Sequence, residues 1–276
     1  MIDSIWYRRL LTVSIAFLAA GVLGSCTTPE SSSPPPAAEV SKTMTTNQEY
    51  YELRLYRIPG ADKQKIVSDY LEKALVPALN RMGIDRVGVF TLKETPDDFS
   101  IFVLVPYATL EAFSQLNPKL ASDSRYQEAA ANLFTLPKDD PAYTRIESRL
   151  MKAFAGMPVL STPDKAAETR LLELRIYESH NEDAALRKVE MFNKGEAALM
   201  QKMKLGPVFF GETLISNDVP NLTYMLSADD MEAHKQHFKD FLEHPDWEQM
   251  KKIERYKDTV SNITSQFLLP TSYSQI

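Results

Sequence analysis

A carboxylate inside an apolar helical stripe is the sequence's strongest hint of chemistry. Between residues 182 and 204, Val189, Phe192, Leu199 and Met203 recur at helical spacing, and Glu196 falls within their stripe. Gly195 stands beside it, although glycine costs about 1 kcal/mol against alanine in a helix interior. A carboxyl group removed from water needs a partner or a raised pKa. A raised acid can take or give a proton near neutrality, which is general acid–base work. A second pattern is the alternation Glu173, Arg175, Tyr177, repeated as Glu52, Arg54, Tyr56. Each triplet occupies one face of a strand, where it either lines a ligand space or forms a charge ladder that sets register. His234 and His237 are three residues apart, a spacing that turns two imidazoles to one helix face. No third ligand follows from spacing, so no metal centre is expected. Asn193, Glu212, Tyr224 and Asn262 complete the candidate ligand-binding set, Glu173, Arg175, Tyr177, Glu196 and His234 being the others.

These residues are positioned by a unit written twice. YELRLY at 51–56 returns as LELRIY at 172–177, and the same offset pairs Val87 with Val208, Leu110 with Met231 and Tyr126 with Trp247. It also shows what differs: Leu75 becomes Glu196, Phe113 becomes His234 and Leu116 becomes His237. Each copy reads β-α-β-β-α-β. In the first, strands are expected at 50–58, 87–93, 99–105 and 144–154. A helix capped by Asp62 runs to about Met82, and a second starts at Thr109 with an interruption near Pro118. The second copy places strands near 170–178, 207–214, 221–227 and 258–268, and helices near 182–204 and 229–254. That order gives a four-stranded antiparallel sheet with both helices on one face, a ferredoxin-like unit. The run Phe99 to Val105 is apolar at nearly every position, which requires burial on both faces. Helices cover one face and the twin copy is the partner for the other. The expected fold class is α+β, two tandem ferredoxin-like domains packed sheet to sheet as an α/β barrel within one chain.

The chain has 276 residues, a formal net charge of −6, nine glycines and one cysteine. It offers no basic footprint for nucleic acid, no disulfide framework and no thiolate cluster. GPVFFGET at 206–213 spaces two glycines as a P-loop does, but Glu212 stands where lysine is needed. The start is an address. Arg8 and Arg9 precede an apolar run from Leu10 to Leu23 that suits a signal peptide better than a membrane span. Leu23-Gly24-Ser25-Cys26 resembles the lipobox of bacterial lipoproteins, which implies cleavage after residue 25 and lipid attachment at Cys26. Residues 26–48, rich in Pro, Ser and Thr, read as a tether. Thr27 after the cysteine points to the outer membrane. The expected location is the bacterial cell envelope, lipid-anchored at the outer membrane and facing the periplasm, with the membrane held through the N-terminal lipid.

The chain also resembles the NIPSNAP family of the dimeric α/β-barrel superfamily. The first strand of both copies carries the resemblance, joined in the second copy by KVEMFNKGE at 188–196, GPVFFGETL at 206–214, VPNLTYMLSADDMEAH at 219–234, HPDW at 244–247 and TVSNITSQFLLPTSYSQI at 259–276. It implies domains at 49–157 and 170–276 joined by a linker at 158–169, and no obligatory cofactor. The family's helix after strand three usually carries Arg where this chain has His234. The function expected is a binding or interaction module that takes a small apolar or amphipathic molecule in the barrel interior or in a groove beside the second copy. The alternative is a cofactor-independent monooxygenase or isomerase, with Glu196 or a histidine as base and a tyrosine or arginine stabilising an enolate. Homo-oligomer formation stays open.

Overall fold

Tyr51, Leu53 and Leu55 alternate with Glu52, Arg54 and Tyr56 along the first strand, and the two sets meet different surroundings. In the computed structural model Tyr51 and Leu53 join one buried apolar cluster and Tyr56 another. The structure describes residues 48–95, 97–163 and 170–276. The expected leader, Cys26, nearly all of the expected tether and residues 164–169 of the expected linker lie outside the described residues. The described residues belong to one compact unit.

The strands are β1 (Tyr50–Arg57), β2 (Gly88–Leu92), β3 (Ile101–Tyr107), β4 (Arg145–Ala153), β5 (Leu171–Glu178), β6 (Pro207–Ile215), β7 (Asn221–Ala228) and β8 (Asn262–Pro270). They close into an antiparallel barrel in the order β1-β3-β2-β8-β5-β7-β6-β4. Each half supplies four neighbouring strands. The halves are stitched edge to edge, β2 to β8 through Phe90, Thr91 and Leu92, and β4 to β6 through Leu150 to Ala153. The expected pair of facing sheets is thus one continuous hydrogen-bonded wall, which leaves no open sheet edge in the barrel.

Burial on both faces holds where it was expected. All of β3 is buried, with Phe102 and Leu104 in the interior cluster and Ile101, Val103 and Val105 under the first half's helices. β7 divides likewise, Met225 inward and Tyr224 and Leu226 toward the second half's helices. The interior also takes Leu172, Leu174, Phe209 and Leu268 from the second half. Each half therefore fills the other's sheet face, and apolar area is withdrawn from water on both sides of each sheet.

The helices differ from expectation in detail. Gly60, not Asp62, is the N-cap of Ala61–Tyr70, and Asp62 lies in its first turn, where a carboxylate still favours the helix dipole. Pro118 sits inside the helix Leu116–Ser122, and the breaks fall at Gln115 and at Asp123, whose side chain caps Ser124–Phe134. Thr109 caps Leu110–Ser114 as expected. In the second half the side chains of Asn181, Asp230 and His244 cap helices, and the helix expected at 229–254 is broken at His244. The long helix of each half carries a π-helical turn at the same repeat position, Leu71–Leu75 and Phe192–Glu196.

One barrel end is closed by the chain itself. Ile276 is fully buried in the interior cluster and Leu160, within the expected linker, is 4% exposed. Arg170 donates to the Ile276 carbonyl, and the Glu49 carboxylate accepts the Leu160 amide at 2.8 Å and the Arg86 guanidinium.

Candidate functional site

Glu196 is buried to 1% exposure, and its partner is Lys188, whose Nζ donates to Oε2 at 2.7 Å. Lys188 in turn lies under aromatic faces, with Nζ 4.9 Å from the Phe192 ring centre and 5.6 Å from those of Tyr177 and Trp247. Burial pushes the Glu196 carboxyl up, and Lys188 opposes this only in part. The residue is therefore held in a buried ion pair. Lys188 escaped the sequence reading. In the repeat it stands opposite Val67 as Glu196 stands opposite Leu75, and both of those are fully buried apolar residues of the first half. A pair of simultaneous apolar-to-charged exchanges, one of each sign, was the signal.

Glu173, Arg175 and Tyr177 face the helices, not the barrel interior. Arg175 donates to Glu173 Oε1 at 2.6 Å, Ser265 donates to the same oxygen, and His234 Nε2 lies 3.0 Å from Oε2. Burial pushes the Glu173 carboxyl up, but His234, Arg175 and Ser265 together outweigh it and hold the group below the usual carboxylate range. The Arg175 guanidinium also stacks over Phe238 and Tyr177, 5.0 and 5.4 Å from their ring centres. Tyr224, paired across the strands with Arg175, donates to the Tyr177 hydroxyl at 2.8 Å. Burial drives both phenols upward, so both stay protonated at neutral pH.

The first half builds a related cluster around Glu52. Glu52 accepts from Arg54 at 2.8 Å and Ser148 at 2.7 Å, and its third donor is Tyr107 at 2.9 Å. Phe113 packs edge-on to Tyr107, with ring centres 5.5 Å apart. The second half has Ala228 at the Tyr107 position and His234 at the Phe113 position. The imidazole thus occupies the repeat position of an apolar ring and reaches the carboxylate that a phenol serves in the twin. Beside this cluster, Phe238, Phe267, Lys235 and Lys239 complete an open surface groove against Arg175 and His234.

A deeper cleft of about 550 Å³ lies elsewhere on the second half. Phe192, Phe210, Met157 and Ala197 give it an apolar floor, and Asn193, Gln201 and His237 contribute polar groups. The π-helical turn delivers Phe192 and Asn193 to this wall, in keeping with the frequent use of such turns at functional sites. Asn193 Oδ1 accepts the Gly156 amide at 2.8 Å and so ties the helix to the segment after β4. His237 Nδ1 is buried without a hydrogen-bond partner. Gly206 forms one edge. It sits at φ 57°, and a Cβ there would lie 2.3 Å from the Ser227 carbonyl oxygen, so the turn into β6 needs glycine.

Of the candidate residues, Glu173, Arg175, Tyr177, Tyr224 and His234 are brought into one connected cluster, with the Lys188–Glu196 pair against Tyr177. Asn193 lies in the deeper cleft. Glu212 sits on β6 opposite Lys152 and Leu222 and lines neither cleft. Asn262, at the start of β8, donates to Glu178 at 2.8 Å on the surface. Among the described residues no three His, Cys, Asp or Glu side chains stand together as a metal site, and no helix is long and apolar enough to cross a membrane.

Residues 172–275 match the family model described as NIPSNAP, so the second half carries a NIPSNAP domain. No curated protein matches the chain. Among solved structures, a protein from Lactobacillus acidophilus named as a proposed monooxygenase shares 11% identity at a TM-score of 0.56, over 81% of this chain and 94% of its own. One from Fusobacterium nucleatum, named in the same way, shares 10% identity at a TM-score of 0.51, over 82% and 93%. A NIPSNAP-like domain protein from Burkholderia xenovorans shares 18% identity at a TM-score of 0.35, over 38% of this chain and 89% of its own. The likeness to the first two shows the fold: a dimeric α/β-barrel type, here closed within a single chain.

Proposed function

We propose that this chain, with its NIPSNAP second half, is a lipid-anchored small-molecule-binding protein of the bacterial cell envelope. Its barrel consists of two ferredoxin-like halves, and its ligand site is the cleft at Phe192, Asn193 and Phe210. One observation carries the binding reading. The cleft's volume of about 550 Å³ comes with an apolar floor and a buried, unpartnered imidazole nitrogen at His237. Small-molecule sites have this make-up, apolar walls with few orienting polar groups. The ligand class that fits is a small, mostly apolar molecule with one hydrogen-bonding group for His237 or Asn193. Anchoring rests on the Arg8-Arg9 start, the apolar run and Cys26, and the outer-membrane address on Thr27. The test is native mass spectrometry of the full chain extracted from its own envelope. A small-molecule adduct is expected on the wild type and absent from Ala198→Trp, a variant that fills the cleft from an exposed position. An adduct that survives Ala198→Trp, or no adduct on either, refutes the reading. Labelling with radioactive palmitate, lost in Cys26→Ser, tests the anchor.

A second reading is an enzyme of the cofactor-independent monooxygenase or isomerase kind. The observation favouring it is His234 Nε2 at 3.0 Å from Glu173, beside an open groove with Arg175 on its wall. There the imidazole would take a carbon-bound proton, Glu173 would hold the imidazolium, and Arg175 would face the enolate. The names of the two barrel neighbours agree with this reading. Solvent deuterium exchange into an enolisable ketone, abolished by His234→Gln, supports it, and exchange no faster than in buffer removes it.

A further inference from the structure

The barrel's two ends are unlike. At one, Ile276 and Leu160 plug the interior. At the other, where β1, β5 and β8 meet the β6–β7 hairpin, a space of about 270 Å³ remains open. Its floor is Leu53, Leu55, Phe102, Leu174 and Ile176, drawn from both halves at equivalent repeat positions for the paired residues Leu53/Leu174 and Leu55/Ile176. The lining charges are matched within the protein. Arg57 donates to Glu147 at 2.9 Å, and Arg149 donates to Asp218 at 2.6 Å and to Asn221 at 2.8 Å. Thr264 and Gln266 supply neutral hydrogen-bonding groups opposite Glu147 and Arg149. The hairpin residues Ser216, Asn217 and Asp218 form the rim, and Ile215 and Val219 on either side of them are 65% and 48% exposed.

From this we infer that the open barrel mouth is a second binding site, for the hydrocarbon chain of a single-chain amphiphile whose polar head stays at the hairpin rim. Since the lining charges already have partners, an ion entering the mouth would gain little, and the available gain is burial of apolar surface, about 0.8 kcal/mol per methylene. Five apolar side chains line the mouth beside partnered charges and neutral hydrogen-bonding groups, and the rim at Ser216, Asn217 and Asp218 is polar, which matches a chain-in, head-out pose. Exposed Ile215 and Val219 extend the apolar surface beyond the rim, as an entry lip for a chain leaving a micelle or bilayer would require. The site is independent of the cleft at Phe192.

The experiment is fluorescence titration of the full chain, carrying Cys26→Ser so that no attached lipid competes, with 11-(dansylamino)undecanoic acid. The expected result is saturable binding at one site per chain, weakened at least tenfold by Ile176→Trp, which fills the floor, and by Asn217→Trp. Asn217 is exposed on the hairpin, so that variant tests the mouth without touching the core. Ala198→Trp, which closes the other cleft, leaves the affinity unchanged. Displacement by decanoate, monodecanoylglycerol and decanoyl-lysophosphatidylcholine alike identifies the chain as the recognised element. Displacement by one of the three alone supports the site and identifies the head it prefers. Binding that is unaffected by both tryptophan variants at the mouth, or that is lost in Ala198→Trp, overturns the inference, and the second of these outcomes assigns the probe to the cleft.

Discussion

Exchanging Lys188 and Glu196 for the residues their twins carry, Val and Leu, tests the account of the second half's core directly. The pair is buried, 6% and 1% exposed at the side chains, with one contact of 2.7 Å. Removing one partner of a buried ion pair costs about 3–5 kcal/mol, because the other charge stays behind without compensation. Glu196→Leu should fall near the low end, since Lys188 keeps the faces of Phe192, Tyr177 and Trp247, each contact worth about 0.5–2 kcal/mol. Lys188→Val should fall nearer the top, and its cost should shrink as pH falls. The Glu196 carboxyl is already pushed up by burial, so in the folded variant it is protonated more readily than in the unfolded chain, and acid relieves the penalty. The double variant Lys188→Val/Glu196→Leu should be neutral or more stable than wild type by about 1–4 kcal/mol. The first half shows that the apolar version packs, since Val67 and Leu75 are fully buried at these positions. Thermal unfolding followed by circular dichroism reads the cycle, each kcal/mol moving Tm by about 2–4 °C for a domain of this size. If the losses of the two single variants simply add in the double variant, the residues act separately and the ion-pair argument fails.

Three further outcomes follow from the same geometry. Glu52 and Glu173 are both held below the usual carboxylate range, Glu52 by Arg54, Ser148 and Tyr107 against the effect of burial. Groups so shifted stabilise the fold above their unfolded pKa, so urea midpoints should drop as pH falls below about 4, and Glu173→Gln should flatten that slope. Tyr107→Phe removes one donor from Glu52 and should cost about 1–3 kcal/mol in denaturant unfolding, whereas Tyr50→Phe, on the opposite strand, serves as the mild control. His234→Phe should destabilise the second half by removing a neighbour of Glu173, and adding Ala228→Tyr should restore at least half the loss by recreating the first half's Tyr107–Phe113 arrangement, and no recovery would show that the two halves are not interchangeable at this point.

Much of the architecture was written locally. The 51–56 and 172–177 hexapeptides announce the duplication, and the period-two alternation of Glu52-Leu53-Arg54-Leu55 announces a strand with two unlike faces. The unbroken apolar run of β3 required cover on both sides, and the barrel supplies it. The leader expected at residues 1–25 rests on a different kind of pattern, since a signal of that type is a linear string and nothing tertiary enters it. Alternation, however, states only that two faces differ, not which one meets helices and which the interior. Glu173, Arg175 and Tyr177 kept that ambiguity until the closed strand order turned them outward. Glu196 was singled out by its apolar neighbours, yet its role depended on Lys188, eight residues away, where side-chain reach and the π-helical turn decide contact. Closure through β2–β8 and β4–β6, the plug of Ile276 and the open barrel mouth arise from registers between distant strands. Such registers are set by the summed packing of the whole interior, a sum that no short stretch of sequence contains.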